Sequence, residues 1–193
     1  HRDLHSFPTR RSSDLIALIW GGLFYRQTQI KRYQDDKILL FELGDGVNME
    51  LMLIPAGEFM MGSDDGEDDE KPVHKVKISK PFYMGKYEVT QEQYEKVMGT
   101  NPSRFKGAKN PVEQVSWHDA QEFCKRLSQK TGYTIMRPTE AQWEYACRAG
   151  TTTPYAFGAT LKPSQATFGQ KKGAPTEEGL HAPNAWGLHD LHG

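Results

Sequence analysis

Short strand-forming runs, then three capped helices, then an aromatic-anchored stretch without periodicity predict one loop-rich domain mixing α and β structure. The chain has 193 residues, the size of a single domain. Its 18 Gly and 11 Pro favour loops, while 4 Trp, 8 Tyr and 9 Phe supply the large side chains of a core. A formal net charge of -1 gives no global basic field, so a nucleic-acid partner has no electrostatic support.

Residues 1–15 contain His5-Ser-Phe-Pro-Thr-Arg-Arg-Ser-Ser-Asp-Leu15, which resembles a translated sequencing adapter. They are set aside from fold reasoning as an artefact. Residues 16–36 begin in an uncharged apolar run that ends at Tyr25. The run is shorter than the ~20 residues a membrane span needs, and the expectation is the remnant of a membrane anchor or signal sequence. Gln27 to Lys37 reads as a polar linker. Arg26, Lys31 and Arg32 follow the apolar run and hint at a cytoplasmic domain. Disulfide-bonded cysteines would suit a periplasmic or extracellular one. Residues 37–193 are the expected domain.

Ile38 to Phe41 and Met49 to Ile54 are apolar runs flanking Gly44-Asp45-Gly46, the signature of a hairpin. Ser63 to Glu70 is acidic, but its spacing does not match an EF-hand and it reads as a solvated loop. His74 to Ser79 alternates, with Val76 and Ile78 on one face of a half-buried strand. His74 reads as structural.

Three helices follow. Thr90 with Gln93 forms a capping-box pattern that Gly99 closes. Ser116 with Asp119 opens a second helix, whose Ala120, Phe123, Cys124 and Leu127 make one apolar stripe ending at Gly132. Thr139 with Gln142 opens a third, with Trp143, Ala146 and Cys147 inward and Gly150 as its stop. From Thr151 onward periodicity is lost, and Tyr155, Phe157, Phe168 and Trp186 are the expected anchors.

Two cysteines, Cys124 and Cys147, sit on apolar helix faces. They are candidates for buried small hydrophobes or for disulfide partners, with each other or with cysteines elsewhere. No His, Lys or Arg is placed in sequence to make either a reactive thiolate. No common catalytic motif occurs, so the residues assign no catalytic or cofactor-binding side chain and leave metal ligands unassigned.

Five ordered blocks carry a resemblance. They are Ile54-Pro-Ala-Gly-Glu-Phe-Met-Met-Gly-Ser63, Lys86-Tyr-Glu-Val-Thr-Gln-Glu-Gln-Tyr94, Asn110-Pro-Val-Glu-Gln-Val-Ser-Trp117, Arg137-Pro-Thr-Glu-Ala-Gln-Trp-Glu-Tyr-Ala146 and Asn184-Ala-Trp-Gly-Leu-His-Asp-Leu-His-Gly193. From about Gly44 onward the chain resembles the formylglycine-generating enzyme, or sulfatase-modifying factor, family. The resemblance implies an α+β fold related to C-type lectins, with the C-terminal part of the domain missing here. It also implies copper- and oxygen-dependent oxidation of a cysteine within Cys-x-Pro-x-Arg, on a peptide or protein substrate such as a sulfatase.

In that family a C-terminal cysteine pair binds copper, fitting the preference of soft thiolates for Cu(I). Calcium is a second implied ion, and Thr167 and Phe168 stand where an Asn begins one ligand set. No catalytic residue carries over onto this chain. Cys124 and Cys147 match helix cysteines that pair with C-terminal cysteines in some members. The expectation is a chain inactive by itself, from a parent that oxidises a peptide cysteine. The alternatives are a non-catalytic lectin-like binding module, or another oxygen-dependent oxidoreductase of the superfamily. A further expectation is that apolar faces around Phe123 and Trp143 lie uncovered.

Overall fold

A computed structural model of the chain describes residues 29–33, 37–64, 66–167 and 175–192. The adapter-like run and the apolar run through Tyr25 lie outside the described residues. Among the described residues no helix is long and apolar enough to cross a membrane.

The fold is α+β. Strands β1 (Gln29–Tyr33), β2 (Ile38–Gly44), β3 (Val47–Ile54) and β6 (Phe82–Gly85) form an antiparallel sheet in the order β1-β2-β3-β6. Strands β4 (Gly57–Met61) and β5 (His74–Ile78) form a separate antiparallel pair. The predicted hairpin is β2–β3. Its turn holds Asp45 and Gly46, both at positive φ, as a tight two-residue hairpin loop requires.

The linker expected over 27–37 is corrected in part, because residues 29–33 pair along their whole length with β2. The physical reason is that an edge strand is held by backbone hydrogen bonds and tolerates Lys and Arg, so it needs no apolar alternation to reveal it.

Helices α1 (Gln91–Met98), α2 (Trp117–Thr131) and α3 (Glu140–Arg148) each start with a complete capping box, formed by Thr90 with Gln93, Ser116 with Asp119 and Thr139 with Gln142. In each box the hydroxyl and the third-position side chain satisfy amides that the helix leaves open. Gly99 and Gly132 close α1 and α2 in the left-handed conformation. At α3 that place belongs to Ala149, at φ 46°, one residue before the predicted Gly150 stop.

Two apolar clusters make up the core. In the first, Leu39, Phe41 and Leu43 of β2 and Val47, Met49 and Leu51 of β3 pack against Tyr94 of α1 and Phe123 and Leu127 of α2. Tyr94 and Phe123 stack with centroids 5.5 Å apart. Phe123 is therefore covered, contrary to the expected exposed face. Gln93, besides its part in the capping box, donates to the Asn48 carbonyl at 2.8 Å and ties α1 to β3.

The second cluster gathers Ile54, Ile78, Tyr145, Ala146 and Leu188. Here the inward face assigned to α3 is corrected: Tyr145, Ala146, Cys147 and Ala149 are buried, whereas Trp143 is 43 % exposed. The helix is rotated so that its buried side follows Tyr145 and Ala149, four residues apart.

Candidate functional site

The loops that follow α3 return to its C-terminal end, and one side chain holds them there. Asn184 is buried; its Nδ2 donates to the Ala146 carbonyl at 2.8 Å and to the Cys147 carbonyl at 3.4 Å. Its Oδ1 accepts from the Trp186 and Leu188 amides at 3.0 and 3.2 Å. A neutral amide suits this place, since only it offers donors to helix carbonyls and an acceptor to loop amides at once. Leu188 then enters the second cluster and Trp186 packs edge-on against Tyr145, centroids 4.7 Å apart.

A second fastening joins α3 to the small sheet. Glu144 Oε1 accepts from the Gly62 amide at 3.0 Å, and Arg148 Nη2 donates to the Gly62 carbonyl at 3.0 Å. Glu144 and Arg148 are themselves paired at 2.6 Å, one helical turn apart. The acidic segment Ser63–Glu70 beyond Gly62 is solvated among its described residues, and His74 Nδ1 donates to the Pro72 carbonyl at 3.0 Å, a structural contact.

The two cysteines lie in different surroundings. Cys124 is half-buried against the first cluster and its thiol is pushed up by burial. Cys147 is buried, and burial pushes its thiol up to about 11. Both are free thiols and are not paired with each other.

In sequence no His, Lys or Arg is placed to make either cysteine a reactive thiolate; in space a histidine does approach Cys147. His192 brings its two ring nitrogens to 3.7 and 3.8 Å from Cys147 Sγ. Its Nε2 accepts from the Ala156 amide at 3.1 Å, so its proton sits on Nδ1. Burial also holds His192 below its ordinary pKa. Thiol and imidazole are therefore both neutral, which is not the ion pair of an activated cysteine. Tyr155 and Phe157, two of the expected anchors, pack edge-on against the His192 ring.

Copper held by paired thiolates does not fit Cys124 and Cys147. They face separate packing regions, and both thiols resist the deprotonation that copper binding needs. The calcium position fares no better. Thr167 Oγ1 is engaged with His181 Nε2 at 2.8 Å, and His181 Nδ1 donates to the Ser164 carbonyl at 3.2 Å. Phe168 lies outside the described residues. Among the described residues no group of three or more His, Cys, Asp or Glu is disposed to hold a metal ion.

Residues 43–193 match the family model for the sulfatase-modifying factor enzyme 1-like domain. The chain is 36 % identical over 137 residues to the chaperone protein LppX of Paenibacillus barcinonensis, covering 54 % of this chain and 47 % of that protein. It is 27 % identical over 216 residues to the formylglycine-generating enzyme of Bos taurus, covering 75 % and 55 % respectively. This chain thus spans about half the length of these two relatives. Among solved structures it resembles PvdO from Pseudomonas aeruginosa, with a TM-score of 0.66, 30 % identity, and coverage of 79 % of this chain and 70 % of that one. The capped helices, the paired sheets and the Asn184-centred loop are thus the frame of a known domain, and the chain belongs to the sulfatase-modifying factor enzyme 1-like family.

Proposed function

We propose that this chain is a peptide- or protein-binding domain of the sulfatase-modifying factor type, and that its residues do not by themselves oxidise cysteine. The observation that carries the reading is the state of its two thiols. Cys147 is buried and protonated beside a neutral His192, and Cys124 packs against a different cluster. Family membership and the likeness to a protein named a chaperone support a polypeptide partner.

The test is direct. The chain is incubated with a Cys-x-Pro-x-Arg peptide, copper and oxygen, and the peptide mass and its binding are followed together. Binding without the mass change of cysteine-to-formylglycine conversion is the expected result. Conversion by these 193 residues alone overturns the second half of the proposal, and absence of binding to any unfolded or cysteine-containing peptide overturns the first.

A second reading concerns the whole protein. The likeness to the formylglycine-generating enzyme of Bos taurus favours oxidation of a peptide cysteine by a longer polypeptide containing this domain. The same assay on that longer polypeptide distinguishes the two: conversion there and not here assigns the chemistry to residues outside this chain.

A further inference from the structure

A threonine hydroxyl and an imidazole meet in the loops that follow α3. Thr167 Oγ1 and His181 Nε2 are 2.8 Å apart, and His181 Nδ1 lies 3.2 Å from the Ser164 carbonyl. A carbonyl can only accept, so Nδ1 carries the proton of the neutral imidazole and Nε2 is left as an acceptor. The hydroxyl therefore donates to the ring. This is the order of partners in a nucleophile, its base and the group that orients the base, with a backbone carbonyl as the third member.

Both members are held by their own backbones. His189 Nδ1 donates to the His181 carbonyl at 2.8 Å, and the His189 ring packs on Tyr87 with centroids 4.7 Å apart. Two residues before His181, the Gly179 amide donates to Asp190 Oδ2 at 2.7 Å, and a Cβ on Gly179 would press into the Tyr87 ring. Ala166 is buried beside Thr167, while Thr167 and His181 are themselves partly exposed. The hydroxyl is thus positioned and also reachable. The Cys147–His192 contact differs in each respect: the Ala156 amide occupies its Nε2, and its thiol is buried.

We propose that Thr167 is an acyl-acceptor site, its hydroxyl attacking activated ester or thioester carbonyls with His181 as general base. Oγ1 forms the new bond to the carbonyl carbon while its proton moves to Nε2. The bond to the leaving alcohol or thiol then breaks, and Nε2 returns the proton to that group. Thr167 ends as an ester, the leaving group as a free alcohol or thiol, and no electrons change hands. An acyl donor fits better than a phosphoryl donor, because the hydrogen-bond partners of the pair include no Lys or Arg to offset a transferring phosphoryl charge. This activity is independent of the peptide binding proposed for the chain.

In the experiment the chain is incubated with p-nitrophenyl acetate at neutral pH, and the acetyl groups are located by peptide mass mapping. Exposed Thr152 and Thr160 serve as internal references. Acetylation of Thr167 at least roughly tenfold faster than at either reference is expected, since a positioned general base contributes ~10²–10⁴-fold. Thr167→Ser, which keeps the hydroxyl, is expected to keep the excess. His181→Gln, whose amide oxygen can accept the hydrogen bond but cannot take the proton, is expected to lose it with the thermal melt unchanged.

Equal labelling of Thr167 and the two reference threonines overturns the proposal, and that comparison needs no variant to fold. So does an excess at Thr167 that survives in folded His181→Gln, because the hydroxyl would then react without its base. Acetyl groups confined to lysine amines and cysteine thiols overturn it as well.

Discussion

Replacing Asn184 by Asp changes almost no volume and removes both donors at once. Nδ2 donates at 2.8 Å to Ala146 O and more weakly to Cys147 O. Losing the first bond in a buried setting costs ~1–3 kcal/mol, because a helix carbonyl is left facing an acceptor. The new carboxylate also stands at the negative end of the α3 dipole, adding ~0.3–2 kcal/mol. Together these give a deficit of about 1–5 kcal/mol at pH ~7.

The sign of the pH dependence follows from the same geometry. A carboxyl forced against carbonyls has its pKa raised in the folded state, and when protonated it can donate to Ala146 O. Stability is therefore regained below the unfolded value of ~3.9 and lost as pH rises through the folded one. Urea denaturation followed by tryptophan fluorescence at pH ~4 and ~7, with Asn184→Ala as a pH-insensitive reference near 2 kcal/mol, measures it. A deficit under ~0.5 kcal/mol at pH ~7, or one equal at both pH values, refutes the reasoning.

Other perturbations test the remaining parts of the frame. Gly62→Ala should cost about 2–4 kcal/mol, because Gly62 sits at φ 94° and a Cβ would collide with the Glu70 carbonyl; thermal denaturation reads the loss. Leu127→Ala, at a site 1 % exposed in the first cluster, should cost ~3–5 kcal/mol in the same assay. Under native conditions a thiol reagent should modify half-buried Cys124 well before Cys147. The slow reaction of Cys147 should keep rising with pH toward its value of about 11, and equal rates at neutral pH would contradict its burial.

What the sequence disclosed was local. Capping boxes and the Asp45-Gly46 turn are satisfied within three or four residues, so the pattern and the hydrogen bonds coincide. The inward face of α3 was misjudged because Trp143 is apolar by composition. The buried surface instead follows Tyr145, which Trp186 reaches from 41 residues further on. β1 carries no apolar period, and its pairing depends on the exposed edge of β2. Asn184 was visible only as a member of a family block; its role needs Ala146, 38 residues earlier. The Cys147–His192 contact likewise joins residues 45 apart. The candidate site was thus illegible because the contacts that close it, Asn184 to Ala146 and Cys147 to His192, are non-local, whereas the elements that carry it announce themselves.

The division of the core between two clusters also sets an order of assembly on the ribosome. The buried residues of the first cluster run from Leu39 to Leu127, so that half can close once α2 has left the exit tunnel. The second cannot close until Leu188 arrives, and α3 waits with Tyr145 and Ala146 uncovered while the intervening loops are made. At ~5–20 residues per second that wait lasts several seconds. A nascent chain stalled within this interval presents a finished half and an unfinished one, and the unfinished half is where a folding helper would find its client.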